Sequence, residues 1–119
     1  MDEKRKNPRF KLSKNLYAAL EEDLYKIGKI QDINANGLSF TYIGTKAQVG
    51  GDLKVDLFQI ETDNHISDLP CKVVYVLPAQ KGAENFATVH YHCGLNFNPL
   101  KKRQKEDLDQ IIKISTTAR

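Results

Sequence analysis

The 119-residue sequence predicts a mainly β domain, a sandwich or small barrel, that ends in one amphipathic helix. Three observations predict it. Short runs of alternating apolar and polar residues recur from residue 15 to residue 98. Gly, Asn and Asp clusters divide them at turn-like intervals. After Asn98 the apolar spacing changes from two to three and four.

The elements follow in order. "NLYAALEEDLYKIGKIQDI" predicts two short strands with a turn near Glu22 and Asp23. "GLSFTYIG" is the next strand. "GDLKVDLFQI" alternates up to Leu57 and then shifts phase at Phe58 and Ile60, which predicts a bulge or bend there. "CKVVYVLP" is β-branched, ends at Pro78 and reads as a strand with both faces partly covered. "FATVHYHCGLNF" is the clearest strand. Ala87, Val89, Tyr91, Cys93, Leu95 and Phe97 share one face, and Thr88, His90, His92, Gly94 and Asn96 share the other. "NPLKKRQKEDLDQIIKI" opens with Asn98 as N-cap and Pro99 at the first helical position. Leu100, Gln104, Leu108, Ile111, Ile112 and Ser115 then form one helical face. The boundaries are an N-terminal arm over 1–14, the β domain over 15–98 and the helix over 99–116.

Hydrophobic residues make up 40% and charged residues 28%, enough for one modest core and not for two. The net charge of +3 is too small to indicate nucleic acid, but its distribution is uneven. Lys4, Arg5, Lys6, Arg9, Lys11 and Lys14 crowd the arm. Lys101, Lys102, Arg103 and Lys105 form a second cluster, read as solvated surface. No export signal and no membrane-length apolar run is visible, so a cytoplasmic protein is expected. Cys71 and Cys93 then read as reduced, buried thiols.

No catalytic pattern is present. Ser39 and Ser67 lack recognisable base and acid partners. "GTKAQVGG" is not a phosphate-binding Walker loop. His90 and His92 with Cys93 or His65 could be weighed as metal ligands, but Cys93 falls on the opposite strand face, so surface histidines are expected and no metal. A single-stranded nucleic-acid binder could use Tyr17, Tyr25, Phe40, Tyr42 and Tyr91 as platforms. Glu21, Glu22, Asp23 and Asp32 interrupt that face, and the aromatics alternate as core residues do, which disfavours this reading.

Two stretches carry the functional signal. "RKNPRF" holds Arg5 and Arg9 as R-x-x-x-R around Pro8, in a segment that cannot make a core. "DINANG" holds Asp32, Asn34 and Gly37 as D-x-N-x-x-G. Asp32 and Asn34 leave one face of an extended chain, and Asn36-Gly37 is a turn pair tolerant of positive φ.

In this order the two motifs resemble those of the PilZ domain, the bacterial receptor module for cyclic di-GMP. "YHCGLNFNPL" also resembles that family's last barrel strand running into a helix, and the resemblance spans Arg5 to the C-terminal helix. It implies a six-stranded antiparallel β-barrel with a flexible N-terminal arm, no catalysis and no cofactor. It also implies a cyclic di-GMP site built from Arg5, Arg9, Asp32, Asn34 and Gly37. Asn34 stands where the family carries serine, a bulkier group that still offers a short acceptor and donor.

The chemistry agrees. An arginine fork matches the O6 and N7 acceptors of guanine and stacks on its face. A carboxylate at Asp32 accepts from the opposite edge. The arm then closes over a ligand held on the barrel. Lys4 either reaches a second, stacked ligand molecule or remains solvated. The output is expected to pass through contact with a downstream protein; a PilZ-like adaptor that only docks on a protein is the alternative.

Overall fold

The structure is a computed structural model, which describes residues 10–11, 15–22, 24–79 and 90–116. Among the described residues are seven strands and one helix: β1 (Phe10–Lys11), β2 (Leu16–Glu22), β3 (Leu24–Asn34), β4 (Gly37–Ile43), β5 (Asp52–Gln59), β6 (His65–Pro78), β7 (His90–Phe97) and α1 (Lys102–Thr116). All pairings are antiparallel in the order β1-β3-β2-β5-β6-β7-β4, and β3 also pairs with β4. That last pairing closes six strands into a barrel, which removes both free edges. β1 adds a two-residue extension on β3.

The period-two reading holds in β2, β5 and β7, with residues 86–89 of the strand expected from Phe86 to Phe97 lying outside the described residues, and the inward residues form one core. Leu16, Ala18, Leu20, Val55, Leu57, Cys93 and Leu95 are buried at alternate positions. Tyr91, Phe97 and Leu100 pack against the same cluster. In β3 and β6 the alternation is broken by bulges. One extra residue, Gln31, lies between Ile30 and Asp32, so Ile30 and Ile33 both point inward although three apart. Val74 plays the same part between Val73 and Val76.

The structure departs from several expectations. The two strands before Asn36 are not both short, since β3 has 11 residues. The bulge expected near Phe58 lies on the partner strand. Two steps on β5, Val55 to Leu57, face three steps on β6, Leu69 to Ile66. Asp68 absorbs the extra residue with a φ of 60°, and its N–H donates to Asp56 Oδ1 at 2.8 Å. β5 keeps its phase through buried Gln59, and Ile60 is exposed. β6 buries one face only: Cys71, Val73 and Val76 point inward, while Lys72, Val74 and Leu77 are exposed.

α1 begins at Lys102, three residues later than Pro99. Asn98 is spent on the sheet, its N–H donating to Pro70 O at 2.8 Å. Lys101 occupies the cap position: its carbonyl accepts from Lys105 N–H, and Gln104 Oε1 accepts from the Lys101 N–H at 2.8 Å. The predicted apolar face is the buried one, with Leu108, Ile111, Ile112 and Ser115 against the barrel and Gln59 Nε2 donating to Ser115 Oγ.

The opposite end of the barrel is closed by residues 44–51. Tyr42 Oη donates to Thr45 O and accepts from Ala47 N–H, both at 2.8 Å, and burial pushes this phenol up to about 12. Gln48 N–H donates to Glu22 Oε2, and Glu22 also pairs with Lys26 at 2.9 Å. Among the described residues no helix is long and apolar enough to cross a membrane.

Candidate functional site

Asp32, Asn34 and Gly37 lie at the helix end of the barrel, where β3 turns into β4. After the bulge at Gln31 the outward phase falls on Asp32 and Asn34, as their spacing predicts. Both are partly buried. Ala35 and Asn36 form the two-residue turn between Asn34 and its partner Gly37. Asn34 Oδ1 accepts from the N–H of Asn36 at 2.7 Å and of Gly37 at 3.1 Å, so this side chain shapes the turn.

The turn pair does not work as the sequence predicts. Neither Asn36 nor Gly37 has positive φ. Gly37 is needed for a different reason. A Cβ there would overlap the carbonyl oxygen of Leu95 and stand 3.1 Å from Asn96 Cα on β7. The glycine therefore lets β4 meet β7 closely, where Gly37 pairs with Asn96. The turn is tied down again by Phe97 N–H donating to Asn36 O at 2.8 Å.

Arg5, Arg9 and Lys4 lie outside the described residues, as do residues 1–9 of the arm as a whole. Of the rest of the arm, Phe10 and Lys11 are described, and residues 12–14 lie outside the described residues. Phe10 pairs with Ile33 and Lys11 with Asp32, so these two residues are strand. The carboxylate-bearing strand thus carries the chain that follows directly on Arg9.

The outward neighbours of Asp32 could not be read from the sequence. Across β4 stands Ser39, across β7 Gly94, and across β6 Tyr75. This row crosses four strands. His92, one outward position from Gly94, has its ring 5.8 Å from that of Tyr75 and Nδ1 3.4 Å from Thr41 Oγ1. Between the β3–β4 turn and α1 is a cleft of about 600 Å³, lined by Asn36, Phe97, Pro99, Leu100, Leu108 and Ile112 among others.

The histidine–cysteine metal set does not converge, and two of the five aromatics weighed as nucleic-acid platforms are core. His90 and His92 are partly buried beside β4, Cys93 is fully buried inside, and His65 Nε2 contacts Ser67 Oγ on β6, so these groups do not converge. Phe40 and Tyr42 are core residues, 0% and 1% exposed, and cannot serve as nucleic-acid platforms. Cys71 and Cys93 are free and buried, and burial pushes each thiol up to about 12.

A family model of the PilZ domain matches residues 3–113. No curated protein matches the chain significantly. Among solved structures, the chain is similar to the PilZ domain with c-di-GMP of YcgR from Escherichia coli, with TM-score 0.70 and 10% identity over 95% of this chain and 92% of that one. It is similar to the MrkH–c-di-GMP complex of K. pneumonia, with TM-score 0.70 and 18% identity over 94% of this chain and 52% of that one. The Bacillus subtilis inhibitor of motility, MotI/DgrA, gives TM-score 0.69 and 16% identity over 99% and 54%. The chain thus spans about half the length of MrkH and MotI.

Proposed function

Because the chain belongs to the PilZ domain family, we propose that it is a cyclic di-GMP receptor whose bound state is read by a downstream protein. One observation carries this reading: Phe10–Lys11, which follow directly on the first motif in sequence, pair with Asp32–Ile33 of the strand that bears the second. Arg9 is one peptide unit from Phe10, about 3.8 Å between Cα atoms. Arg5 is five residues from Phe10, within about 18 Å at full extension. Both guanidinium groups therefore come within reach of a nucleotide lying beside Asp32.

The roles divide by chemistry. Arg5 and Arg9 supply forked donors to guanine O6 and N7 or to the phosphodiester oxygens, and flat faces for stacking. Asp32 accepts from the guanine N1–H and N2–H edge. Asn34 holds the β3–β4 turn in shape and can complete polar contacts to base or phosphate, and Gly37 lets β4 and β7 approach beside the site. Lys4, Lys6 and Lys11 add positive charge against the two phosphodiesters, and Lys4 is the residue that a second stacked ligand molecule would need. The YcgR PilZ domain, similar in fold, was solved with c-di-GMP, which supports the same ligand class here.

The test is calorimetry with cyclic di-GMP, GTP and a short oligonucleotide at one salt concentration. Cyclic di-GMP is expected to bind tightest. Arg9→Ala is expected to cost about 2 kcal/mol, a charge-assisted bidentate contact. Wild-type affinity for cyclic di-GMP no better than for GTP would end the reading and leave the adaptor that only docks on a protein.

A further inference from the structure

The charges of α1 run in an order that the helix itself does not favour. Lys101, Lys102, Arg103 and Lys105 come first, Glu106, Asp107 and Asp109 follow, and all are exposed. The first turn holds no acid, so the cations stand at the positive end of the helix dipole. Three pairs are spaced i,i+4 with the cation first: Lys102–Glu106, Arg103–Asp107 and Lys105–Asp109. That orientation is the weaker one. Among the described residues none of the three closes to an ion pair, while the acid-first pair Asp109–Lys113 does, at 3.7 Å. Neither the dipole nor pairing along the helix accounts for this order.

Part of the same surface borders the cleft. Lys105, Glu106, Leu108, Asp109 and Ile112 line it from α1, and Pro99 and Leu100 line it from the segment before. Lys102 stands one turn before Lys105 and Glu106, so Lys102, Lys105, Glu106 and Asp109 form one stripe at spacings of three and four. The stripe runs from basic to acidic. Its complement runs from acidic to basic, and the same helix turned end for end has that order. In an antiparallel pairing that sets Lys105 of one copy opposite Glu106 of the other, Lys102 falls opposite Asp109. A two-fold axis makes each of these pairs twice. The Pro99 end of one helix then lies beside Ile112 of the other, which covers both apolar clefts. Opposed helix dipoles favour the same direction.

We propose that this face of α1, with its cleft, is a self-association surface whose occupant is the same face of a second copy of the chain, antiparallel about a two-fold axis. The inference goes beyond the receptor reading: none of Arg5, Arg9, Asp32, Asn34 and Gly37 takes part, and its test uses no nucleotide. A helix of 15 residues is about 22 Å long, so the contact belongs with small, transient interfaces. Exposed ion pairs across it make it sensitive to salt.

The test is analytical ultracentrifugation of the whole chain over a concentration series. Wild type is expected to dimerise at about 0.01 M salt, with a dissociation constant that rises about tenfold or more by about 1 M. Charge exchange then probes the register. The double variant Lys102→Glu, Lys105→Glu makes the stripe wholly acidic, and Glu106→Lys, Asp109→Lys makes it wholly basic. Each is expected to be monomeric alone, and an equal mixture is expected to form a heterodimer at low salt. Thermal melts report whether each variant folds; if one does not, the salt series and the other variant decide. Wild type that stays monomeric at low salt overturns the proposal. So does a dimer that survives either double variant, or folded variants that stay apart when mixed, because the contact would then lie elsewhere.

Discussion

Gly37→Ala separates a packing role from a ligand role. The sequence motif invites the view that this glycine serves the nucleotide. The structure assigns its lack of a side chain to the β4–β7 junction, because an added Cβ overlaps Leu95 O and stands 3.1 Å from Asn96 Cα. A close C···O contact lies at about 3.3–3.6 Å, so the overlap exceeds about 1 Å. The obstacle is backbone within a closed barrel, which cannot rotate away as a side chain can. Overpacking typically costs about 1–3 kcal/mol, and a backbone clash belongs at the top of that range. The unfolding entropy of 119 residues is about 0.25 kcal/mol per kelvin. A loss of about 3 kcal/mol then lowers the melting temperature by about 12 °C. The assay is thermal unfolding followed by circular dichroism, without any nucleotide. An unchanged melt accompanied by lost cyclic di-GMP binding would refute the packing argument and return Gly37 to the ligand.

Two further outcomes are expected. Burial raises the Glu22 carboxyl, but the Gln48 N–H and the Lys26 ammonium outweigh it and hold the group below its ordinary value. A depressed carboxylate contributes stability that is present above the unfolded-state value, near 4.5, and is lost as pH falls through the lower folded value. Urea midpoints should therefore fall with pH below about 4.5, with a shallower slope in Glu22→Gln; equal slopes would remove this linkage. Burial pushes Cys71 and Cys93 up to about 12, so a thiol reagent at about pH 8 should label neither in the folded protein and both in urea. Labelling of the native state at the unfolded rate would contradict the buried placement.

Much of the barrel was legible because one wet face and one dry face impose a period of two. Cys93 and Leu95, or Val55 and Leu57, follow it without interruption. The pattern fails where an extra residue is inserted. Ile30 and Ile33, and Val73 and Val76, look out of phase until the bulges at Gln31 and Val74 are known. The helix start is hidden for a local reason. Asn98-Pro99 is a strong start signal, yet Asn98 bonds to Pro70 and Asp52 on the sheet, and Gln104 caps at Lys101 instead. At the site, the spacing of Asp32 and Asn34 was enough to put both outward. The neighbours Ser39, Gly94 and Tyr75 were not legible, because they depend on register across three strand pairs, two of them bulged.

The barrel is filled along its axis. Leu16, Leu20, Ile30, Phe40, Val55, Leu57 and Val73 occupy it, the Tyr42 hydroxyl fastens residues 44–51 over one end, and Leu108, Ile111 and Ile112 rest against the other. Close-packed interiors have low compressibility, so such a drum keeps its volume. On the proposed reading, a messenger bound to its wall would be announced as a change of outline. The wall nearest Asp32 continues through the Ala35–Asn36 turn into the cleft beside α1. On the receptor reading proposed above, occupancy there would redraw a contour that a second protein could feel, while the interior stayed as it was.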